Sequence, residues 1–164
     1  MTKFGCCLVL LASLCCGTAQ AAEFLLLDID ASPETATIMM TDSSSIVTGD
    51  ANNKLATLLS IHEAGEWDER KMQLDCTAQR WRELSGIQHN MNGGVHAERP
   101  DDNWADLGDG TRGLRVHDII CAWPDKKPGD DRIVTGDLQD IINRTSMLLS
   151  NMVTKNQRER DGDN

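Results

Sequence analysis

Apolar runs of strand length, each followed by turn residues, fill the first half of the chain. They cover residues 23–30, 35–42, 45–47 and 54–64. The last of these runs is long enough to predict a central strand. Residues 70–76 then alternate, which places Met72, Leu74 and Cys76 on one face of a further strand. This half of the chain therefore predicts an antiparallel sheet.

The spacing of apolar residues becomes helical after Thr111. The positions that recur at i, i+3, i+4 and i+7 are Val116, Ile119, Ile120 and Trp123. This period predicts a short helix over residues 111–123.

The last apolar pattern covers residues 136–155 and predicts a longer amphipathic helix. Its apolar stripe is formed by Leu138, Ile141, Ile142, Leu148, Leu149 and Met152. We expect this stripe to pack on the sheet, because an amphipathic helix must bury its apolar face. Residues 154–164 are charged and predict a disordered tail. The fold class that follows is α+β: an antiparallel β-sheet packed by a C-terminal helix and a second short helix, in one domain over residues 22–153.

The first residues have the organisation of a secretory signal peptide. Lys3 precedes an apolar run over residues 4–17, and the run ends near the A-x-A sequence Ala19-Gln20-Ala21. The run is too short to span a bilayer, and no later stretch is long and apolar enough to do so. The sequence therefore predicts a cleaved leader over residues 1–21 and an exported mature chain that is periplasmic, outer-membrane-associated or secreted.

A lipid anchor through Cys15 or Cys16 is an alternative for the leader. Lipoprotein signals place a small residue before the modified cysteine, whereas Leu14 precedes Cys15 and Cys15 itself precedes Cys16. The leader cysteines are therefore better explained as apolar residues of the hydrophobic segment of the signal peptide.

Two cysteines remain after the leader, Cys76 and Cys121. An even pair in an exported chain predicts a disulfide, because thiols are not kept reduced outside the cytoplasm. A catalytic thiolate at Cys76 would need a nearby histidine or a helix N-terminus to stabilise it. We therefore expect Cys76 to form a disulfide rather than to act as a catalytic nucleophile.

Composition excludes several classes of function. The formal net charge is −10, so the chain repels phosphate backbones and nucleic-acid binding is not expected. Aromatic residues make up 4% of the chain, which argues against a carbohydrate-binding platform of stacked rings. The sequence contains no G-x-S-x-G, P-loop or H-E-x-x-H motif, and it predicts no catalytic residue, cofactor or enzymatic activity.

A metal site is the alternative that the histidines offer. Asn92-Gly93 predicts a two-residue hairpin turn, and counting outward from it pairs His89 with His96 across two strands. Two cross-strand histidines would be close enough to share one ion, with Glu98 or Asp101 nearby. The two histidines would then belong to a periplasmic metal-binding or enzymatic domain.

The sequence Arg80-Trp81-Arg82 is one of few basic clusters in this acidic chain. It is a candidate interaction surface for a partner protein. The plainer interpretation is a strand in which Trp81 is buried while the arginines pair with nearby acids.

The order of these features resembles the surface-adhesin protein E-like family of exported bacterial proteins. The residues that carry the resemblance are Asp42, Ser45 and Ile46, then Leu74-Asp75-Cys76 with Arg80 and Arg82, and finally Trp104 and Cys121. The resemblance covers residues 36–123. It implies a small β-rich domain with a Cys76–Cys121 bridge, no catalytic activity and, for some members, adhesion to host proteins.

These observations favour an exported, non-enzymatic envelope or surface protein that acts as a binding or adhesin-like module. The partner expected is a protein or another envelope component, without nucleic acid and without a membrane span in the mature chain.

Overall fold

The computed structural model describes residues 21–32 and 35–162. The predicted leader falls outside these ranges apart from Ala21, and the lipid-anchor alternative at Cys15 or Cys16 falls outside them entirely. Within the described residues, no helix is long and apolar enough to cross a membrane.

The described part of the chain contains nine strands and two α-helices, which confirms the α+β prediction. The strands are β1 (Ala22–Ala31), β2 (Ala36–Asp42), β3 (Val47–Thr48), β4 (Asn53–His62), β5 (Trp67–Asp75), β6 (Arg80–His89), β7 (Val95–Glu98), β8 (Ala105–Asp106) and β9 (Ile133–Gly136). The helices are α1 (Arg112–Ala122) and α2 (Leu138–Gly162).

All strands pair antiparallel in one sheet of order β7-β6-β5-β4-β2-β1-β9. Strand β3 pairs with the start of β4, and β8 pairs with the start of β6. Short connections join most neighbours along the chain, and such connections require antiparallel pairing. Strand β4 lies in the middle of this order, as its long apolar run predicted.

The two helices cover opposite faces of the sheet, and each face has its own apolar cluster. The α1 face contains Leu25, Leu27, Ala56, Leu58, Met72 and Leu74 packed with Val116 and Ile120. The α2 face contains Phe24, Ala36, Ile38, Met40, Leu59 and Ile61 packed with Ile141, Ile142 and Leu149. Because β4 supplies buried residues to both clusters, its apolar run is nearly continuous.

Helix α2 is longer than predicted. The pattern gave a helix that ends near residue 155 and a disordered tail from residue 154, whereas α2 continues to Gly162. The prediction of a disordered tail is therefore wrong for residues 154–162. This exposed segment continues a helix whose earlier part packs on the sheet, and Lys155 lies 3.7 Å from Glu159 in an i,i+4 ion pair of the kind that supports such a segment.

The apolar stripe of α2 is also narrower than predicted. Leu148 and Met152, which the pattern placed in it, are 59% and 37% exposed, while Leu149 is fully buried. The sheet under the helix contacts only part of the stripe, so a helical period overestimates how much of it is covered.

The predicted disulfide links Cys76 to Cys121, with the Cα atoms 5.6 Å apart. Cys76 lies in the turn directly after β5, and Cys121 lies in the last turn of α1. The bridge therefore fixes the end of α1 to the end of a central strand. The other end of the helix is capped by Thr111, whose Oγ1 accepts a hydrogen bond from the Leu114 N–H at 3.2 Å.

Candidate functional site

Helix α1 packs on β1 and β4. It does not cover the rest of the same face of the sheet, where a groove remains. An open groove of about 470 Å³ lies there, between the strands, the loop over residues 99–104 and the first turn of α1. Met39, Leu58 and Met72 give it an apolar floor. We refer to this space as the α1-side groove.

Strand register explains why charged residues converge beside this floor. Directly opposite residues share a face of the sheet, and Leu58 lies opposite Arg70 while Ser60 lies opposite Asp68. Asp68 and Arg70 therefore project from β5 into the same groove.

A β-bulge brings Glu83 into the groove as well. Lys71 pairs with Ser85, but Met72 pairs with Glu83, so Leu84 is an extra residue in β6. Without the bulge, alternation would place Glu83 on the opposite face of the sheet. The bulge thus adds a carboxylate to the groove.

Arg70 is the centre of an ion-pair network. Its Nη1 atom lies 3.1 Å from Oε2 of Glu83, and its Nη2 atom lies 3.0 Å from Oε2 of Glu98 on β7. Nη2 is also 3.9 Å from Oδ2 of Asp68. Gly86 lies opposite Arg70, and a Cβ atom there would be 2.6 Å from Oε1 of Glu83. Glycine at this position therefore leaves the space in which the two glutamates meet Arg70.

His62 joins this network to β2. Its Nδ1 atom lies 3.2 Å from Oγ1 of Thr37, and its Nε2 atom lies 3.2 Å from Oδ2 of Asp68. The other oxygen of Asp68, Oδ1, is buried and has no hydrogen-bond partner among the described residues. A buried carboxylate oxygen without a donor is costly, so Oδ1 is the point in the groove where a donor from a ligand gains most.

The wall of the groove is held in place by backbone contacts. The Glu83 N–H donates to the Asp101 carbonyl oxygen at 3.3 Å, and the Leu107 N–H donates to the Gln79 carbonyl oxygen at 3.0 Å. The first bond attaches the loop to β6, and the second attaches the residue after β8 to the turn before β6.

The first turn of α1 closes one end of the groove. Arg112 lines the groove and pairs with Asp28 and Asp30 of β1, and Arg115 pairs with Asp28 at 3.3 Å. Arg112 is therefore already engaged by carboxylates of β1.

The predicted cluster Arg80-Trp81-Arg82 does not form one surface. Trp81 packs on the apolar cluster beneath α1, and a Cβ atom on Gly113 would lie 3.3 Å from its ring. The guanidinium carbons of Arg80 and Arg82 lie 4.8 and 4.9 Å from the ring centre of Trp104. The register separates the tryptophan from the two arginines, as alternation along a strand requires.

The arginines of this cluster also have polar partners. Nη2 of Arg80 lies 3.0 Å from Oδ2 of Asp75, and Nε of Arg82 donates to Oε1 of Gln73 at 2.8 Å. Hydrogen bonds from the Ala78 N–H, and then from Arg80 and the Thr77 N–H, hold the pKa of Asp75 below its ordinary value, against an opposing effect of desolvation. These contacts agree with the plainer interpretation of paired arginines.

The pairing of His89 with His96 is wrong. His89 lies opposite Val95, and His96 lies opposite Gln88. The loop therefore contains five residues rather than two, with the Asn90 N–H donating to the Gly94 carbonyl oxygen at 2.8 Å. This shift by one residue puts the two histidines on opposite faces of the sheet, where they cannot share an ion. His89 instead stacks on Trp67, with the ring centres 3.7 Å apart.

A different group brings metal-ligating atoms together. Among the described residues, Cys76, His117 and Cys121 have such atoms within 4.8 Å of one another. Its two sulfur atoms are bonded to each other, and cysteine binds metals as a free thiolate. In the oxidised protein this group is therefore structural.

Sequence reasoning did not select His62, Asp68, Arg70 or Glu83 as site residues. His62 lies on β4, whereas Asp68 and Arg70 lie on β5, and the register between these strands was unknown from the sequence. The position of Glu83 depends on the bulge in β6. The signal that was available is the run Asp68-Glu69-Arg70-Lys71 in an otherwise strand-like segment, since charged residues in a central strand require partners.

Comparisons with known proteins do not extend this description. No protein-family model, curated protein sequence or solved structure matches the chain. The resemblance to surface-adhesin protein E-like proteins remains a prediction from the sequence.

Proposed function

We propose that this protein is an exported, non-enzymatic binding protein of the envelope or cell surface. In this proposal the α1-side groove accepts a Lys or Arg side chain from a partner protein. The observation that carries it is the buried Oδ1 atom of Asp68, which lacks a donor among the described residues, beside the apolar floor of the groove.

The groove matches the two parts of a basic side chain. Lys and Arg place an apolar stem against apolar surface while their charged end seeks hydrogen-bond acceptors. Met39, Leu58 and Met72 offer the apolar surface, and Asp68 offers the acceptor. A neutral apolar ligand would leave Oδ1 of Asp68 unpaired, and an anionic ligand would face its charge.

The charges around the groove favour a cation. Arg70 is bound by Glu83 and Glu98, and Arg82 is bound by Gln73. Arg112 pairs with Asp28 and Asp30, although its Nη2 atom is buried without a hydrogen-bond partner among the described residues. An anion at Arg70 or Arg82 would have to displace these partners, and an anion at Arg112 would compete with the carboxylates of Asp28 and Asp30. The net charge of −10 further attracts cationic partners over a distance.

A surface or adhesin-like role agrees with two features of the sequence. One is the predicted leader over residues 1–21, and the other is the resemblance to exported adhesin-like proteins. A basic segment of a host or envelope protein is the partner that this groove would select.

The test compares peptides that differ only in the terminal charge of one side chain. We expect a short lysine-containing peptide to bind, and its norleucine counterpart, which lacks the ammonium group, to bind at least tenfold more weakly, about 1.4 kcal/mol. Calorimetric titration at low and high salt measures both affinities.

Asp68→Asn is the decisive variant, because asparagine keeps the size of the side chain and loses its charge. We expect this variant to bind the lysine peptide at least tenfold more weakly than the wild type does. Asp130→Asn is the matched control: it removes the same charge from an exposed residue of the turn before β9, and it should bind like the wild type. Equal affinity of the Asp68→Asn variant and the wild type would overturn the proposal.

A second candidate function arises from the order hydroxyl, imidazole, carboxylate along Thr37, His62 and Asp68. Both contacts measure 3.2 Å, as in the relay that activates a nucleophilic hydroxyl. Hydrolysis of activated esters by the wild type that Thr37→Val abolishes would favour this function. Equal rates in the two proteins would exclude it.

A further inference from the structure

A second cavity lies on the opposite face of the sheet, against the N-terminal half of α2. This cleft has a volume of about 440 Å³, which is within the range of small-molecule sites. It is formed by the turn between β4 and β5, the loop between β6 and β7, and one face of α2. We refer to it as the α2-side cleft.

The lining of the α2-side cleft is uncharged. Its polar side chains are Asn90, Gln139, Asn143, Ser146 and His89, and Trp67 and Met91 supply apolar surface. No Asp, Glu, Lys or Arg is among the described residues that line it. Charged residues make up 26% of the chain, so this cleft differs in chemistry from the rest of the surface.

Two atoms in this lining lack hydrogen-bond partners. The Nε2 atom of His89 and the Oγ atom of Ser146 are both buried, and neither has a partner among the described residues. Leaving such groups unpaired is unfavourable, so a ligand that supplied their partners would gain free energy from both atoms. The two atoms come from different elements, β6 and α2, that face the same cleft.

Packing holds the cleft in one shape. The ring of His89 is stacked on Trp67 with an interplanar angle of 3°. The Ser150 hydroxyl donates to the Glu63 carbonyl oxygen at 2.7 Å, which fixes the β4–β5 turn to α2. Gly65 in this turn has φ +83, and a Cβ atom there would lie 3.3 Å from Met91. The lining is therefore positioned before any ligand arrives, which lowers the entropic cost of binding.

Helix α2 presents three polar residues to the cleft. Gln139, Asn143 and Ser146 follow i, i+4, i+7 spacing and therefore lie on one face of the helix. The Gln139 amide donates to Oδ1 of Asn143 at 3.2 Å. Carboxamides contain both donors and acceptors, and a hydroxyl does so too.

We propose that the α2-side cleft binds a neutral saccharide unit. Each hydroxyl of a sugar donates and accepts, which matches a lining of carboxamides, a serine hydroxyl and a histidine nitrogen. The C–H groups of the sugar would contact Met91 and Trp67. This mode relies on hydrogen bonds rather than on a platform of stacked rings, and it is independent of the lysine or arginine site proposed for the other face.

The test uses a panel of neutral mono- and disaccharides, with binding followed by amide chemical shifts of the purified protein. We expect at least one sugar to shift the amide signals of Gly65, Asn90 and Gly94, which surround the cleft. Absence of shifts at saturating concentrations of every sugar, or shifts centred elsewhere, would overturn the proposal.

Ser146→Ala separates a binding role from a structural one. Alanine is compatible with the helix, so the variant should fold. We expect its melting temperature without ligand to equal or exceed that of the wild type, because a buried hydroxyl without a partner has been removed, and its sugar affinity to fall at least fivefold. Asn143→Asp places a charge in the lining and should weaken binding at least tenfold.

Ser85→Ala is the matched control, since Ser85 lies in β6 outside the cleft and should retain wild-type affinity. Unchanged sugar affinity in Ser146→Ala would contradict the proposal. The Asp68→Asn variant should bind sugar with wild-type affinity. A negative result for lysine-peptide binding in the α1-side groove would therefore not affect the saccharide proposal.

Discussion

The Nε2 atom of His117 lies 3.1 Å from the carbonyl oxygen of Asp75. His117 is 1% exposed, and the same nitrogen lies 3.5 Å from Sγ of Cys121. A buried hydrogen bond and the disulfide therefore join α1 to the end of β5 at the same place. The position of the groove depends on this connection, because the first turn of the same helix closes one end of the groove.

Replacing both Cys76 and Cys121 with alanine should lower the free energy of unfolding by about 2–4 kcal/mol. The bridge restricts the unfolded chain, and this restriction is lost without it. Urea unfolding followed by circular dichroism measures the change. A loss below about 1 kcal/mol would show that the His117 contact alone holds the helix in place.

Replacing Asp75 with asparagine should reduce the dependence of stability on acid. The pKa of Asp75 is lowered in the folded protein, first by the hydrogen bond from the Ala78 N–H. Its ionised form therefore stabilises the fold above the ordinary aspartate pKa, and this contribution is lost as the pH falls through the lower folded-state pKa. The difference in unfolding free energy between wild type and Asp75→Asn should be largest near neutral pH and shrink below about pH 4.

Arg80→Gln provides the comparison for this pH effect. It removes the guanidinium and keeps both backbone hydrogen bonds to Asp75. The unfolding free energy of Arg80→Gln, measured across the same pH range, should therefore keep most of the pH dependence of the wild type. If Arg80→Gln removes as much as Asp75→Asn, the arginine and not the backbone is the main cause.

Replacing Thr111 with alanine should destabilise the protein by about 1 kcal/mol. The hydroxyl caps the first turn of α1, and such caps contribute about this much. Thr111→Ser keeps the hydroxyl and should remain within a few tenths of the wild type. Thermal and urea unfolding measure both variants, and equal losses would assign the effect to the methyl group.

The two parts of α2 should differ in their contribution to stability. Leu149 is fully buried, and Leu149→Ala should cost about 2–5 kcal/mol. Residues 157–160 are exposed, and ending the chain after Asn156 should change the unfolding free energy by less than about 0.5 kcal/mol. A large loss on truncation would mean that the end of the helix packs on the domain.

Local patterns predicted the elements well where one face of each element is buried. The continuous apolar run of β4 marked it as a central strand, and the helical spacing of Val116 and Ile120 marked α1. The cysteine pair predicted the disulfide, because two cysteines outside the predicted leader allow a single pairing. Exposed segments gave weaker signals, and so the charged end of α2 was predicted to be disordered.

The face of the sheet on which a side chain lies could not be predicted where a shift of one residue in strand pairing changes it. The hairpin loop between β6 and β7 contains five residues instead of two, and this difference separates His89 from His96. The bulge at Leu84 has the opposite effect, since it brings Glu83 to the face of Arg70. Side chains alternate with a period of two, so either shift exchanges the faces of every residue beyond it.

Periodicity and composition are local properties, and they were sufficient to predict the fold class, the central strand, both helices and the cysteine pair. The arrangement of the folded chain sets which charged residues surround Arg70, which oxygen of Asp68 lacks a partner, and which polar residues of α2 face His89. These relationships join strands and helices that are distant in sequence, and they are set by register and packing rather than by the residues of any one segment.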